Sequence, residues 1–366
     1  MSENRKNSIN QLGMFDMVKG ILMLLIIAGH SITDYFHFWE YTDKSSPLFF
    51  LTNAVSSICT YGLIPMFFMI CGYGLRKKSM SKAIKGQFKY FWKPYLLVIV
   101  ATLVLVIIKK VLISGDILEG IRYQVLPYLL AFCPGERNFL GLYMDSIGPI
   151  WFFWVFVTAG ILVNFILQEN RLWGQFILII IFSCLGLMLR NITLPWCIQQ
   201  TCICTGYMYI GWVMKKHKIL GDRLPVYLIL LVFLLCVSSV ISGGYIEVSQ
   251  NVYATGAQDL LVSYVAGIIL VFGAIKINYF EGKISDVLCW IGKNAMYICC
   301  IHTVAYTVIP WERMAEYLDK SKIIGIVIEM ILQYVIAIGG CKCIEWFQQW
   351  KRTKYLQLSN KGVDKL

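Results

Sequence analysis

Residues 227–241 read YLILLVFLLCVSSVI, fifteen in a row without a charge. With its flanks this run approaches the roughly 20 apolar residues that cross a bilayer. It is not isolated, because residues 21–28, 96–108 and 176–189 are equally free of charge. The 366-residue chain is 58% hydrophobic and 15% charged. A soluble globule is about half apolar and a quarter charged. Eleven Trp and 21 Tyr suit helices whose aromatic ends sit at the headgroup level. The pattern implies an all-α, polytopic bundle of about ten transmembrane helices.

Spans are expected near 15–36, 48–74, 94–113, 149–168, 173–190, 197–214, 224–241, 259–276, 287–309 and 323–343. Orientation follows from charge. Arg76, Lys77, Lys78, Lys82, Lys85, Lys89 and Lys93 follow the second span, and Lys215, Lys216, Lys218 and Arg223 follow the sixth. Lys351, Arg352, Lys354, Lys361 and Lys365 fill the tail, whereas the alternate loops are poor in cations. The positive-inside rule puts both termini in the cytoplasm of a multi-pass protein of the cell membrane. The exception is 109–149, with Lys109, Lys110, Arg122 and Arg137 and an apolar stretch at 125–132. It reads as an interfacial or re-entrant element. The expected organisation is a cytoplasmic segment 1–14, a transmembrane unit 15–343 and a basic tail 344–366. No cleavable signal peptide, internal repeat or second domain is read.

The net charge of +12 clusters beside the apolar runs, so the lipid bilayer explains it better than nucleic acid does. Most of the 13 Cys sit inside apolar runs, as Cys59, Cys184, Cys236 and Cys289 do, and read as small hydrophobes. The pairs 202/204, 299/300 and 341/343 lack zinc spacing, so no metal is expected.

His30 lies well inside the first span, where an ionisable side chain is costly and usually functional. Lys19 precedes it by three helical turns, about 16 Å along the axis and about 20° in angle. Asp34 follows by one turn and could orient the imidazole. Asp16 lies one turn before Lys19. The plainer reading is a histidine that hydrogen-bonds neighbouring helices as packing glue. The alignment with Lys19 and Asp34 favours the functional one.

Lys78, Lys82, Lys85 and Lys89 form one stripe of a helix, with Ile84, Phe88 and Phe91 opposite. This describes a basic amphipathic helix on the cytoplasmic surface. Anionic headgroups account for it readily, and the phosphates of a polyanionic ligand such as coenzyme A are the functional alternative. The ninth span contains WIGKNAMYICCIH at 290–302, where Gly292 and Asn294 suggest a break and His302 is again intramembrane. Glu329 in the last span reads as a relay carboxylate or as a group bonded to a neighbouring helix.

These motifs resemble the acyltransferase-3 family of bacterial integral-membrane acyltransferases. FDMVKGILMLLIIAGHS at 15–31 is similar to the family's first span, with Lys19 where an Arg typically precedes the His at the same spacing. Lysine offers a point charge there rather than a bidentate fork. PMFFMICGYGL at 65–75 resembles the family's Pro-Phe-Phe run ending in Ser-Gly-Tyr, with Cys71 for the Ser. KPY at 93–95, GPIWFF at 148–153 and the Gly292…His302 stretch resemble three further family segments, in order.

The resemblance implies an acyl-CoA-dependent O-acyltransferase, most simply an O-acetyltransferase, acting on a carbohydrate hydroxyl of a surface polysaccharide or its lipid-linked precursor. It implies His30 as general base or transient acyl carrier, helped by Lys19, Asp34 and His302. The coenzyme A thioester would dock on Arg76, Lys85, Lys89 and Lys93. Transfer would occur in the membrane core or with a separate partner, glycan-assembly proteins being candidates. Two other classes stay open. One is a secondary transporter using His30, His302 and Glu329, which lacks the paired broken helices of inverted repeats. The other is a structural component of a glycan-assembly complex.

Overall fold

The computed structural model describes residues 14–33, 59–112, 115–133, 137–139, 141–144, 147–192, 194–221, 226–277, 280–311 and 323–363. Asp34 and the beginning of the second expected span lie outside them. The described chain is almost wholly helical. α1 is Asp16–Thr33, and a π-helical turn at Cys59–Leu63 leads into α2, Ile64–Gly74. α3 is Met80–Leu112, followed by the short α4 (Ile117–Gln124) and α5 (Leu126–Leu130). A hairpin of β1 (Arg137–Phe139) and β2 (Leu142–Met144) precedes α6, Trp151–Ile166. α7 (Leu172–Met188), α8 (Ile198–Lys216) and α9 (Val226–Ile241) follow. A second hairpin, β3 (Ile246–Glu247) with β4 (Val252–Tyr253), leads to α10, Ala257–Ile277. α11 (Lys283–Lys293), α12 (Ala295–Val308) and α13 (Ile323–Val363) complete the bundle.

Among the described residues five helices are long and apolar enough to cross a membrane: α3, α6, α7, α10 and α13. A sixth results if α11 and α12, bent by 71° at Asn294, form one span. The chain is an integral membrane protein. A helix also stands at each remaining stretch read as a span, although these are shorter or more polar.

α8 shows why apolarity alone does not locate the core. Its sequence begins IQQTCICTG, yet Ile203, Cys204, Tyr207 and Met208 are fully buried, packed by α2, α6 and α7. Glycines let it approach α2 backbone to backbone. A methyl added at Gly72 would overlap the Met208 carbonyl, and one at Gly211 would overlap the Met69 carbonyl. Such small-residue contacts substitute for the hydrophobic drive that lipid surroundings remove. α1 and α11 interlock the same way, Gly20 beneath the Leu288 carbonyl and Gly292 against the Asp16 carbonyl.

Two expectations change. The basic helix and the third span form one helix, because α3 runs unbroken through Pro94. Its buried stripe of Ala83, Phe91, Tyr95 and Val98 crosses the proline and holds both halves against α6. Ile84 and Phe88 face outward, so the apolar face is rotated from the expected one. The helix of the last span likewise runs on past 343 into the basic tail. α13 has 41 residues and reaches Val363, meeting no glycine or proline between Cys341 and Lys361. It is about 62 Å long, roughly twice the hydrocarbon thickness of a bilayer.

The segment expected to be interfacial or re-entrant folds into the protein. Tyr128, Ala131 and Phe132 are buried, and the Tyr95 hydroxyl donates to the Tyr128 carbonyl at 2.6 Å. Its backbone stays satisfied: the Phe132 amide reaches the Pro127 carbonyl at 2.9 Å, and the Trp196 amide reaches the Leu130 carbonyl at 2.6 Å. Non-helical backbone at this depth needs such protein partners. At the opposite end, the Lys78 amide donates to Asn164 Oδ1 and the Gln168 amide group donates to the Lys78 carbonyl. The basic 76–78 turn is thereby pinned to the end of α6.

Candidate active site

α1 carries His30 on its fifteenth residue, and α12 carries His302 on its eighth. Their ring centroids stand 5.4 Å apart. Tyr306, one turn after His302, closes a triangle at 5.0 Å from the His30 ring and 5.8 Å from the His302 ring. His30 is half-buried, whereas His302 is 1% exposed. Among the described residues neither ring nitrogen of His302 has a hydrogen-bond partner. A buried polar group is nearly always bonded, and leaving one unmade costs about 1–3 kcal/mol. Two bare nitrogens on one buried ring make His302 a candidate to contact a bound molecule or an ordered water.

The scaffold that sets this distance is local. Gly20 and Gly292 bring α1 and α11 into contact, and the bend at Asn294 then turns α12 alongside α1. A polar clasp holds the bend. The Trp290 indole N–H donates to Glu345 Oε1 at 2.9 Å, the Asn294 side-chain amide donates to the Trp290 carbonyl at 3.0 Å, and the Lys342 ammonium sits 3.6 Å from the centre of the Trp290 ring. The apolar floor is shared by three helices: Met23 and Ile27 of α1, Ile298 and Cys299 of α12, and Ala337 and Cys341 of α13.

The residues singled out in the sequence are distributed as follows. His30 and His302 meet. Lys19 lies at the start of α1 and pairs with Asp16 Oδ1 at 2.6 Å. Asp34 lies outside the described residues. Arg76, Lys85, Lys89 and Lys93 are all exposed, the three lysines on the side of α3 away from Phe91 and Tyr95. No described contact joins them to the histidines. Glu329 is buried on α13 and accepts from the Gln333 amide group at 2.6 Å. Tyr306 was not anticipated, although its i+4 spacing from His302 was the available signal.

The five motifs also meet. The first packs on the last through Gly20, Gly292 and the two histidines. The second packs on the fourth through Phe67 and Phe68 against Phe152, at 4.6 and 4.7 Å. The third joins them through Tyr95 against Trp154 at 5.7 Å. Segments scattered over most of the chain thus build one neighbourhood.

Residues 13–342 match the model of the acyltransferase-3 family, described as an acyltransferase domain. Neither the curated proteins nor the solved structures contain a match to the chain.

Proposed function

The chain belongs to the acyltransferase-3 family, and on that premise we propose that it is a membrane O-acyltransferase moving an acetyl or similar short acyl group from acyl-CoA to a carbohydrate hydroxyl. The acceptor belongs to a surface or exported polysaccharide or its lipid-linked precursor. The enzyme crosses the cell membrane about ten times with both termini in the cytoplasm, as the loop charges favour. The observation that carries the reading is the facing pair His30 and His302, with both nitrogens of His302 bare.

In the proposed reaction one imidazole, His30, takes the proton of the acceptor hydroxyl as general base. The hydroxyl oxygen attacks the thioester carbonyl, a C–O bond forms, and the electrons of the broken C–S bond leave on the sulfur of coenzyme A. The proton passes from His30 to that thiolate. In this scheme His302 donates to the developing oxyanion, and a donor in a dry site is worth far more than in water. Asp34 orients His30 in this scheme. Lys19, held by Asp16, supplies positive charge on the route from the basic face. Arg76, Lys85, Lys89 and Lys93 meet the donor's phosphates at the membrane surface.

The test is thiol release in proteoliposomes given acetyl-CoA on the basic side. Release that requires a glycan acceptor, matches acylated product and stops in His30→Ala supports the enzyme. An acceptor carried across unmodified without thiol release would establish a transporter instead.

A further inference from the structure

A second group of bare polar atoms lies away from the histidines, between the β3–β4 hairpin and α8. Gln200 is fully buried on the first turn of α8. Its amide group donates to the Ser249 carbonyl at 2.9 Å, and its Oε1 has no partner. Asn251, two residues beyond Ser249, is 4% exposed, with neither its Nδ2 nor its Oδ1 bonded. Tyr253 is 2% exposed and its hydroxyl is equally bare. Burial pushes that phenol well up, with Cys204, Tyr264 and Glu247 adding to the effect, so these groups are its electrostatic neighbours. Cys204 is one turn from Gln200 on α8. The remaining carboxylate of the hairpin, Glu247, is engaged by the Ser249 hydroxyl at 2.5 Å.

The hairpin is anchored, so these atoms are held in place. The Ala254 amide reaches the Tyr245 carbonyl at 3.0 Å, and the Thr255 amide reaches Asp259 Oδ2 at 2.7 Å. The Cys133 thiol donates to the Ser249 carbonyl at 2.9 Å, which ties the hairpin to the segment following α5. That segment leads back to the histidines: the Tyr128 hydroxyl lies 3.1 Å from Thr307 Oγ1, next to Tyr306.

We propose that Gln200, Asn251 and Tyr253 form an accessory subsite for one neutral sugar unit of the acceptor, between the β3–β4 hairpin and the first turn of α8. The bare atoms comprise two amide oxygens, one amide donor and a phenol that can do both. A sugar hydroxyl also donates and accepts, so a neutral polyol satisfies the set, whereas a phosphodiester can only accept. Phosphates are provided for elsewhere in the proposed scheme, on the exposed Arg76, Lys85, Lys89 and Lys93. The assignment rests on the proposed acyl transfer for its biological ligand, but binding can be read without turnover. Ordered water is the competing occupant, because buried water typically bonds about three such groups.

The test uses the full-length protein in lipid nanodiscs and a panel of neutral methyl glycosides and N-acetylhexosamines, read by saturation-transfer NMR. Two variants remove the bare atoms gently. Tyr253→Phe keeps the ring. Asn251→Gly keeps the left-handed backbone that the φ of 58° at Asn251 requires. The expected result is at least one glycoside that binds the original protein and binds each variant tenfold or more weakly, with coenzyme A binding unchanged. No signal from any glycoside, or equal binding by both variants, overturns the subsite and leaves water as the occupant. Glycoside binding without acyl transfer to any acceptor would sink the proposed enzyme and spare the subsite.

Discussion

His30 and His302, from opposite ends of the chain, hold their rings 5.4 Å apart in the interior of the helix bundle. If they act on one hydroxyl, each single change to Ala should lower acceptor-dependent thiol release by about 10²–10⁴-fold. The double variant should be little worse than the poorer single one, because residues that act as a unit are not additive. Size-exclusion profiles should match the original protein. A loss under tenfold for His30→Ala would return it to the role of packing glue.

The Gly20–Leu288 contact leaves no room for a side chain. Gly20→Val should separate α1 from α11 and cost about 1–3 kcal/mol or more through overpacking. A lower thermal midpoint in detergent, with activity lost in parallel, is expected. Gly29→Ala is the control, since an added methyl there meets no atom within 4 Å. Equal destabilisation by both would show that the interlock is unimportant.

The exposed lysines of α3 can be tested by charge alone. Replacing Lys85, Lys89 and Lys93 together by Gln should weaken coenzyme A binding, and added salt should weaken the original protein's binding as well. Pantetheine lacks most of the phosphate charge and should respond less. If both ligands lose affinity equally, the lysines serve the helix and not the donor.

Orientation follows from the loops. Cysteines introduced at Ser79 and Lys361, in a background without reactive native thiols, should resist an impermeant thiol reagent in intact cells. Labelling of either from outside would overturn the cytoplasmic placement of the basic face.

Glu247 gives a pH dependence. Burial holds its carboxyl above the ordinary value of 4.5, and the hydrogen bonds from Ser249 partly offset this. The folded state therefore keeps the proton more tightly than the unfolded one. Below the ordinary value both states are protonated and nothing is lost. As pH rises through that value to the raised one, the unfolded carboxyl ionises while the buried one keeps its proton, so stability falls. The thermal midpoint should drop across that window, and Glu247→Gln should flatten the drop. The same slope in both proteins would assign the effect to other groups.

The histidine pair was legible because an intramembrane histidine stands out against apolar neighbours and both belong to recognisable motifs. Their meeting was not, since nothing in a one-dimensional pattern pairs residues so far apart. Helix ends were read poorly where the reading depended on composition. Charge after Cys343 suggested a tail, but a helix continues wherever no residue breaks it. The third span was read as beginning at 94, but rings packed on both sides of Pro94 carry α3 through. α8 was read as a span, yet its polar start gave no hint of how fully the protein encloses it. The bare atoms of the hairpin escaped entirely, because unmade hydrogen bonds exist only in three dimensions.

α13 packs Ala337 against Ile27 of α1 and Ile298 of α12 in one apolar cluster, contributes Lys342 and Glu345 to the clasp at the bend, and continues as one helix to Val363. A stiff rod of that length is a lever. A tilt of a few degrees pivoting near Ala337 displaces the far end by several ångströms, and a force on that end bears in turn on the clasp. Whatever engages the projecting end of the rod gains mechanical purchase on the spacing of the two imidazoles, without touching either one.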